Sequence, residues 1–73
     1  MKISYDKEVD AIYIKLSGLK PDGAIEVADG INIDVTADGK IVGIELLDAT
    51  NKITIDNLLT YEIEAESIKE LAH

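Results

Sequence analysis

The chain has 73 residues, with 15 acidic and seven basic side chains, a formal net charge of −8 and no cysteine. That length holds one small domain, and the lack of cysteine excludes disulfides and thiolate zinc sites. The charge argues against nucleic acid, whose binders neutralise phosphates with clustered Lys and Arg, and against an anionic membrane surface.

Hydrophobic residues make up 47% of the sequence, with no Phe and no Trp, so the core must be aliphatic. A domain of this size buries only about 60% of the surface its unfolded chain exposes. Small scaffolds without covalent staples rely on unusually good packing or on association. A homo-oligomer is therefore expected. A basic protein partner would suit the charge, although solubility is its plainer use. No apolar run approaches the ~20 residues of a membrane span, and no signal-peptide pattern is seen, so a cytoplasmic location is expected.

In chain order, Ile3 and Tyr5 alternate with Lys2 and Ser4 as a short first strand, and Asp6-Lys7-Glu8 makes a polar turn. A second strand runs from Ala11 to Leu16, with Ile12, Ile14 and Leu16 on one face and Tyr13 and Lys15 on the other. Ser17 to Gly23 contains the lone proline, Pro21, and reads as a loop. The third strand is Ala24 to Val27 and the fourth Gly30 to Thr36. A three-residue loop Ala28-Asp29-Gly30, with Gly30 left-handed, sets Val27 opposite Ile31 and Ile25 opposite Ile33. A two-residue loop would mix the two faces.

A second Asp-Gly turn, Asp38-Gly39, follows either as a two-residue turn or inside a four-residue loop from Ala37 to Lys40. Both versions pair Val35 with Val42, Ile33 with Ile44 and Ile31 with Leu46. Ile25, Val27, Ile31, Ile33, Val35, Val42, Ile44 and Leu46 then form one apolar slab. At about 1.5–3 kcal/mol per fully buried side chain, this slab is the main stabilising feature. On the opposite face Thr36, Asp34 and Asn32 oppose Ile41, Gly43 and Glu45.

Asp48 to Lys52 is a polar corner. Thr54 is placed to cap a helical turn over Ile55 to Leu59. Thr60 to Glu64 alternates again, with Tyr61 and Ile63 against Glu62 and Glu64, and reads as a last strand. Ser67 to Ala72 has helical spacing at Ile68, Leu71 and Ala72, too short to stand alone, so it frays or docks on a neighbour. The expected fold is mainly β (β-rich α+β), an antiparallel meander of five or six strands with one short helical turn and a short C-terminal helical tail. Residues 1–64 are expected to form the single domain and 65–73 the helical or frayed tail.

The search for chemistry is short. Asp34 to Gly39 followed by Glu45 nearly fits a calcium loop, but Thr36 stands where an Asp or Asn belongs, and the flanks alternate as strands rather than helices. Asp34 and Asp38 also lie roughly 13 Å apart along an extended strand. Asp34 and Glu45 fall diagonally across the hairpin, where two carboxylates can share acid–base work. No nucleophile or oxyanion donor accompanies them, so they read as solvated residues. Gly43, opposite Asp34, leaves room for something to approach the backbone. Asp6, Glu8 and Asp10 sit on a turn, where acids are ordinary.

His73, the one histidine, is the last residue, and Ser4, Ser17 and Ser67 have no histidine partner. The five glycines form no phosphate cradle. Tyr5, Tyr13 and Tyr61 all fall on expected strands; a small cluster is one reading, and core or interface packing with the hydroxyl in water is the plainer one. No catalytic, cofactor-binding or metal-binding residue is expected.

Two blocks carry a family resemblance. Tyr5-Asp6-Lys7-Glu8-Val9-Asp10-Ala11-Ile12-Tyr13-Ile14-Lys15-Leu16-Ser17 resembles the opening of the domain of unknown function 2283 proteins, typically Y-D-x-E-x-D-x-L-Y-I-x-L, with Ile12 in place of the usual Leu. Gly43-Ile44-Glu45-Leu46-Leu47-Asp48-Ala49 resembles their G-I-E-I-L-D-A. Between them Asp29-Gly30, Asp34 and Asp38-Gly39-Lys40 match in order, so the resemblance spans residues 1–64. It implies a small prokaryotic β-rich domain without an assigned activity or catalytic residues. A neutralising role toward a small basic toxin-like protein is a further implication. Asp6, Glu8, Asp10, Glu45 and Asp48 are the matching acids, and turn geometry is one role they can share.

Two functional expectations follow. The first is a non-enzymatic, self-associating β domain that works through protein contacts, a basic partner meeting its acidic outer face and the segment Glu62 to His73. The second is a small-ligand or metal-binding protein with Asp6, Asp10 and Glu45 gathered at an oligomer interface.

Overall fold

The computed structural model describes residues 1–71. Five strands, β1 (Lys2–Asp6), β2 (Ala11–Lys15), β3 (Gly23–Ala28), β4 (Ile31–Val35) and β5 (Ile41–Leu47), precede a 3-10 turn (Ala49–Asn51) and two helices, α1 (Ile55–Leu59) and α2 (Ala65–Leu71). The strands form one antiparallel sheet in the order β1-β2-β5-β4-β3. The fold is thus mainly β, as the alternation implies. The β3–β5 meander is present, and the β1–β2 hairpin joins it along β5 rather than beside β3.

The loop after β2 makes this order possible by crossing the end of the sheet. The Leu16 and Ser17 amides both donate to the Val42 carbonyl, at 2.8 and 3.1 Å, and the Asp22 amide donates to the Val35 carbonyl at 2.8 Å. The stretch rich in turn residues therefore satisfies carbonyls that would otherwise be orphaned at the strand ends.

Register divides the sheet cleanly by face. Ile3 pairs with Ile14, Ile14 with Ile44, Ile44 with Ile33 and Ile33 with Ile25. Tyr5 pairs with Ile12, Ile12 with Leu46 and Leu46 with Ile31. The aliphatic slab thus continues across all five strands. The other face carries Lys2, Ser4, Asp6, Tyr13, Lys15, Glu26, Asn32, Asp34, Gly43 and Glu45, because alternate residues point to opposite sides.

Three expected pairs and one loop are corrected. Val27 does not oppose Ile31: Ala28 does, across a two-residue Asp29-Gly30 turn rather than the expected three-residue loop, and the register shift between Glu26 and Ala28 keeps the faces from mixing. Val42 does not oppose Val35, and Thr36 does not oppose Ile41: Val35 and Ile41 face each other, with a shift beside them. Each is a one-residue bulge next to a tight turn, which absorbs an extra residue while leaving the downstream face intact. Gly30 and Gly39 are both left-handed, at φ 70° and 87°, a conformation that glycine reaches without steric cost.

Beyond the sheet, Thr54 caps α1 as expected, its Oγ1 accepting from the Asn57 amide at 3.2 Å. Thr60 to Glu64 is not a strand. Alternation needs a neighbouring ladder, and this segment lies between two helices with Tyr61 and Ile63 exposed. The tail helix begins at Ala65, two residues before the expected Ser67. Ala72 and His73 lie outside the described residues.

The sheet is a single layer. Among the described apolar residues only Ile12, Val42 and Ala49 are fully buried. Neither helix has a buried residue. The radius of gyration is 13.8 Å, against about 11 Å for a compact chain of this length. Much of the aliphatic face, including Ile25 at 53% exposure, remains open to solvent.

Candidate functional site

The two motif blocks meet in space at one end of the sheet. Asp10 ends the β1–β2 turn and Asp48 follows β5, and both have left-handed backbones, at φ 51° and 52°. Asp tolerates that region better than most residues because its short side chain can bond locally. The Asp10 carboxylate accepts from the Tyr5 hydroxyl at 2.9 Å, the Thr50 hydroxyl at 2.8 Å and the Thr50 amide at 3.2 Å. Its backbone carbonyl accepts from the Ala49 amide at 2.9 Å. Asp48 in turn accepts from the Asn51 side-chain amide at 2.9 Å. Ala49, with no exposed surface, is clamped between these turns.

This clasp ties the first hairpin to the corner after β5. The Thr50 hydroxyl holds the Asp10 carboxyl below the usual carboxylate range, with support from Tyr5 and from the charge on Lys52. The same hydrogen bond with Asp10 raises the Tyr5 phenol above its usual value. Lys52 also donates to the Leu47 carbonyl. Asp6 accepts from the Glu8 amide at 3.0 Å, an ordinary acidic turn as expected.

A second arrangement lies on the polar face. Tyr13 donates to Asp34 Oδ2 at 2.8 Å, and Asn32 donates to Glu45 Oε1 at 3.2 Å. The Tyr13 ring crosses β5 at Gly43, where an added Cβ would lie 2.2 Å from the hydroxyl oxygen and 2.9 Å from the Ile14 carbonyl. The group that approaches the Gly43 backbone is therefore the protein's own tyrosine. The bond to Asp34 raises the Tyr13 phenol above its ordinary value. The two carboxylates each accept from a neutral partner, Asp34 from Tyr13 and Glu45 from Asn32.

A tyrosine cluster is not formed. Tyr5 and Tyr13 stand on opposite faces, each bonded to an acid, and Tyr61 is exposed beyond the sheet. Of Asp6, Asp10 and Glu45, Asp6 and Glu45 border one cleft on the polar face, while Asp10 is committed to the clasp. Among the described residues no group of three metal-ligating side chains is assembled. A shallow cleft of about 320 Å³ is lined by Ser4, Asp6, Tyr13 and Glu45 together with apolar neighbours. No helix among the described residues is long and apolar enough to cross a membrane.

The chain belongs to the family described as "Protein of unknown function (DUF2283)", whose model matches residues 2–49. That segment contains all five strands and both left-handed aspartates, and it ends on buried Ala49. The chain is also similar to the uncharacterized protein MJ0789 of Methanocaldococcus jannaschii, with 32% identity over 77 residues. That similarity covers 97% of this chain and 66% of the relative, so the chain spans about two thirds of its length. No solved structure matches the chain.

The clasp was missed in the sequence because Asp10 looks like any turn acid. The available signal was that both blocks carry an Asp-Ala pair, Asp10-Ala11 and Asp48-Ala49.

Proposed function

We propose that the protein is a non-enzymatic assembly domain that works by contact between protein surfaces, first with its own copies. The observation that carries this reading is the five-strand aliphatic face, over which no layer is packed among the described residues. Apolar surface of this extent marks an interaction site, and covering it is favourable at about 25 cal/mol per Å² of apolar area. The motif residues support the same reading, since Tyr5, Asp10, Asp48 and Thr50 spend their polar atoms on one another and on backbone groups.

The opposite face carries Asp34, Glu45 and Glu26 and suits a basic partner, such as a small cationic protein. That contact should weaken as salt rises, because exposed charges are screened beyond about 8 Å at physiological ionic strength.

The test of self-association is the solution mass of the full chain and of Ile25→Lys. Ile25 sits on an edge strand at 53% exposure, so lysine there leaves the fold intact by circular dichroism. The reading expects a multiple of the 7.9 kDa chain mass that drops in the variant. An unchanged mass in the variant would remove the aliphatic face from the account.

A further inference from the structure

The inference here rests on that self-association and specifies how two copies meet. The sheet has two edges, β1 and β3. The β3 edge is interrupted by the register shift around Val27 and follows Pro21-Asp22. Bulges, charges and prolines are the devices that stop an edge from pairing with another chain. The β1 edge has an unbroken register from Lys2 to Asp6, and every residue in it is exposed.

The β1 sequence is complementary to itself when run antiparallel. Centred on Ser4, Lys2 faces Asp6 of the partner subunit, Ile3 faces Tyr5 of the partner subunit, and Ser4 faces Ser4 of the partner subunit. Each opposite-charge pair and each aliphatic–aromatic pair occurs twice by symmetry, and such direct cross-strand pairs stabilise antiparallel ladders. Residues on the aliphatic face meet only aliphatic-face residues, and polar-face residues meet only polar-face residues.

The chain also leaves both charges wanting a partner. Lys2 lies directly opposite Lys15 across the β1–β2 ladder, an unfavourable like-charge pair. Among the described residues the single ion pair is Lys40 with Asp38, so Lys2 has no acid of its own. Asp6 uses Oδ1 on the Glu8 amide, which leaves Oδ2 free among the described residues.

Size points the same way. One chain's aliphatic face measures roughly 400 Å² in plan, from five strands about 4.8 Å apart and about five residues long at 3.3 Å each. A stable interface buries about 800 Å² per partner. Joining two sheets edge to edge doubles the continuous face to about that value, so paired sheets can stack where single ones have too little area.

We propose that β1 pairs antiparallel with β1 of a second copy, in register about Ser4, to build a ten-stranded sheet. The test uses the full chain and three charge variants, with mass followed by light scattering through a dilution series. Lys2→Asp sets two acids against two acids, and Asp6→Lys sets two lysines against two lysines. Each should weaken association on the order of tenfold, while the double exchange Lys2→Asp with Asp6→Lys should restore it.

In this cysteine-free chain, Ser4→Cys should form an intermolecular disulfide under mild oxidation, because directly opposed antiparallel residues have Cα atoms about 4.5–5.5 Å apart, within the span of about 4.4–6.8 Å that a disulfide bridges. Ser17→Cys, off the edge strand, should not. If all three charge variants keep the parent mass and Ser4→Cys does not cross-link, edge pairing is wrong. If Ile25→Lys still lowers the mass in that case, association through the aliphatic face survives. A parent chain that is monomeric throughout overturns both.

Discussion

The molecule contains two Tyr–Asp hydrogen bonds of nearly equal length, 2.9 Å from Tyr5 to Asp10 and 2.8 Å from Tyr13 to Asp34. They do different work. Asp10 is also held by the Thr50 amide and hydroxyl and stands on a left-handed backbone, so its side chain fixes the course of the main chain. Asp34 lies within a regular strand, and its bond fixes a side chain, the Tyr13 ring laid over Gly43. The difference teaches that an acid in a family motif can serve the shape of a turn. A tyrosine–carboxylate contact is not by itself chemistry.

The largest expected effect lies at the second site, in the glycine rather than the hydrogen bond. In Gly43→Ala the tyrosine can swing away, but the Ile14 carbonyl at 2.9 Å belongs to the paired backbone and cannot. Overpacking of this kind costs about 1–3 kcal/mol, and chemical denaturation should show it. Next comes the clasp. Asp10→Ala loses three donors and keeps the left-handed backbone, whereas Asp10→Asn keeps an acceptor and tolerates that backbone. Thermal melts should place the asparagine variant clearly above the alanine variant. Equal melting points would mean that the side-chain bonds do not hold the turn.

Asp48 separates backbone from side chain within the same clasp. Asp48→Ala should cost about 1 kcal/mol, because alanine keeps the Cβ at positive φ and loses the local hydrogen bond from Asn51 that aspartate accepts there. Asp48→Gly should stay within about 1 kcal/mol of the parent, because strain relief offsets the entropy of glycine. The smallest expected effect is in Tyr13→Phe, about 1 kcal/mol or less for one hydrogen bond.

Acidity gives an independent check of the clasp. The Asp10 carboxyl is lowered by the Thr50 hydroxyl, so its contribution is fully present above the unfolded value of about 3.9. It is lost as pH falls below that value through the folded one. Asp38, lowered by the Thr36 hydroxyl, adds to the same acid limb. Tyr5 and Tyr13 are raised by their acidic acceptors, so their contribution is present below about pH 10 and is lost as pH rises above it. Melting temperature against pH should therefore fall at both ends, and Asp10→Ala should show a shallower acid limb.

Much of this fold was legible because alternation and Asp-Gly turns are local signals. The aliphatic face, the left-handed Gly30, the Asn32–Glu45 opposition and the Thr54 cap all follow from short stretches of sequence. The bulges at Val27 and Val42 were not legible, since either register keeps the same residues on the aliphatic face nearer the strand centres. Strand order was hidden because the local pattern of the loop from Leu16 to Asp22 does not encode its contacts with the distant Val35 and Val42 carbonyls. Thr60 to Glu64 alternates as a strand does, but no ladder is there to receive it. The clasp joins Asp10 to Thr50 across 40 positions, and no local pattern encodes that contact.

The most direct test of the central claim is the solution mass of the full chain from low micromolar to millimolar concentration, by light scattering. The account predicts a multiple of 7.9 kDa, rising with concentration toward a tetramer of two edge-paired sheets. A mass of one chain at every concentration would contradict it.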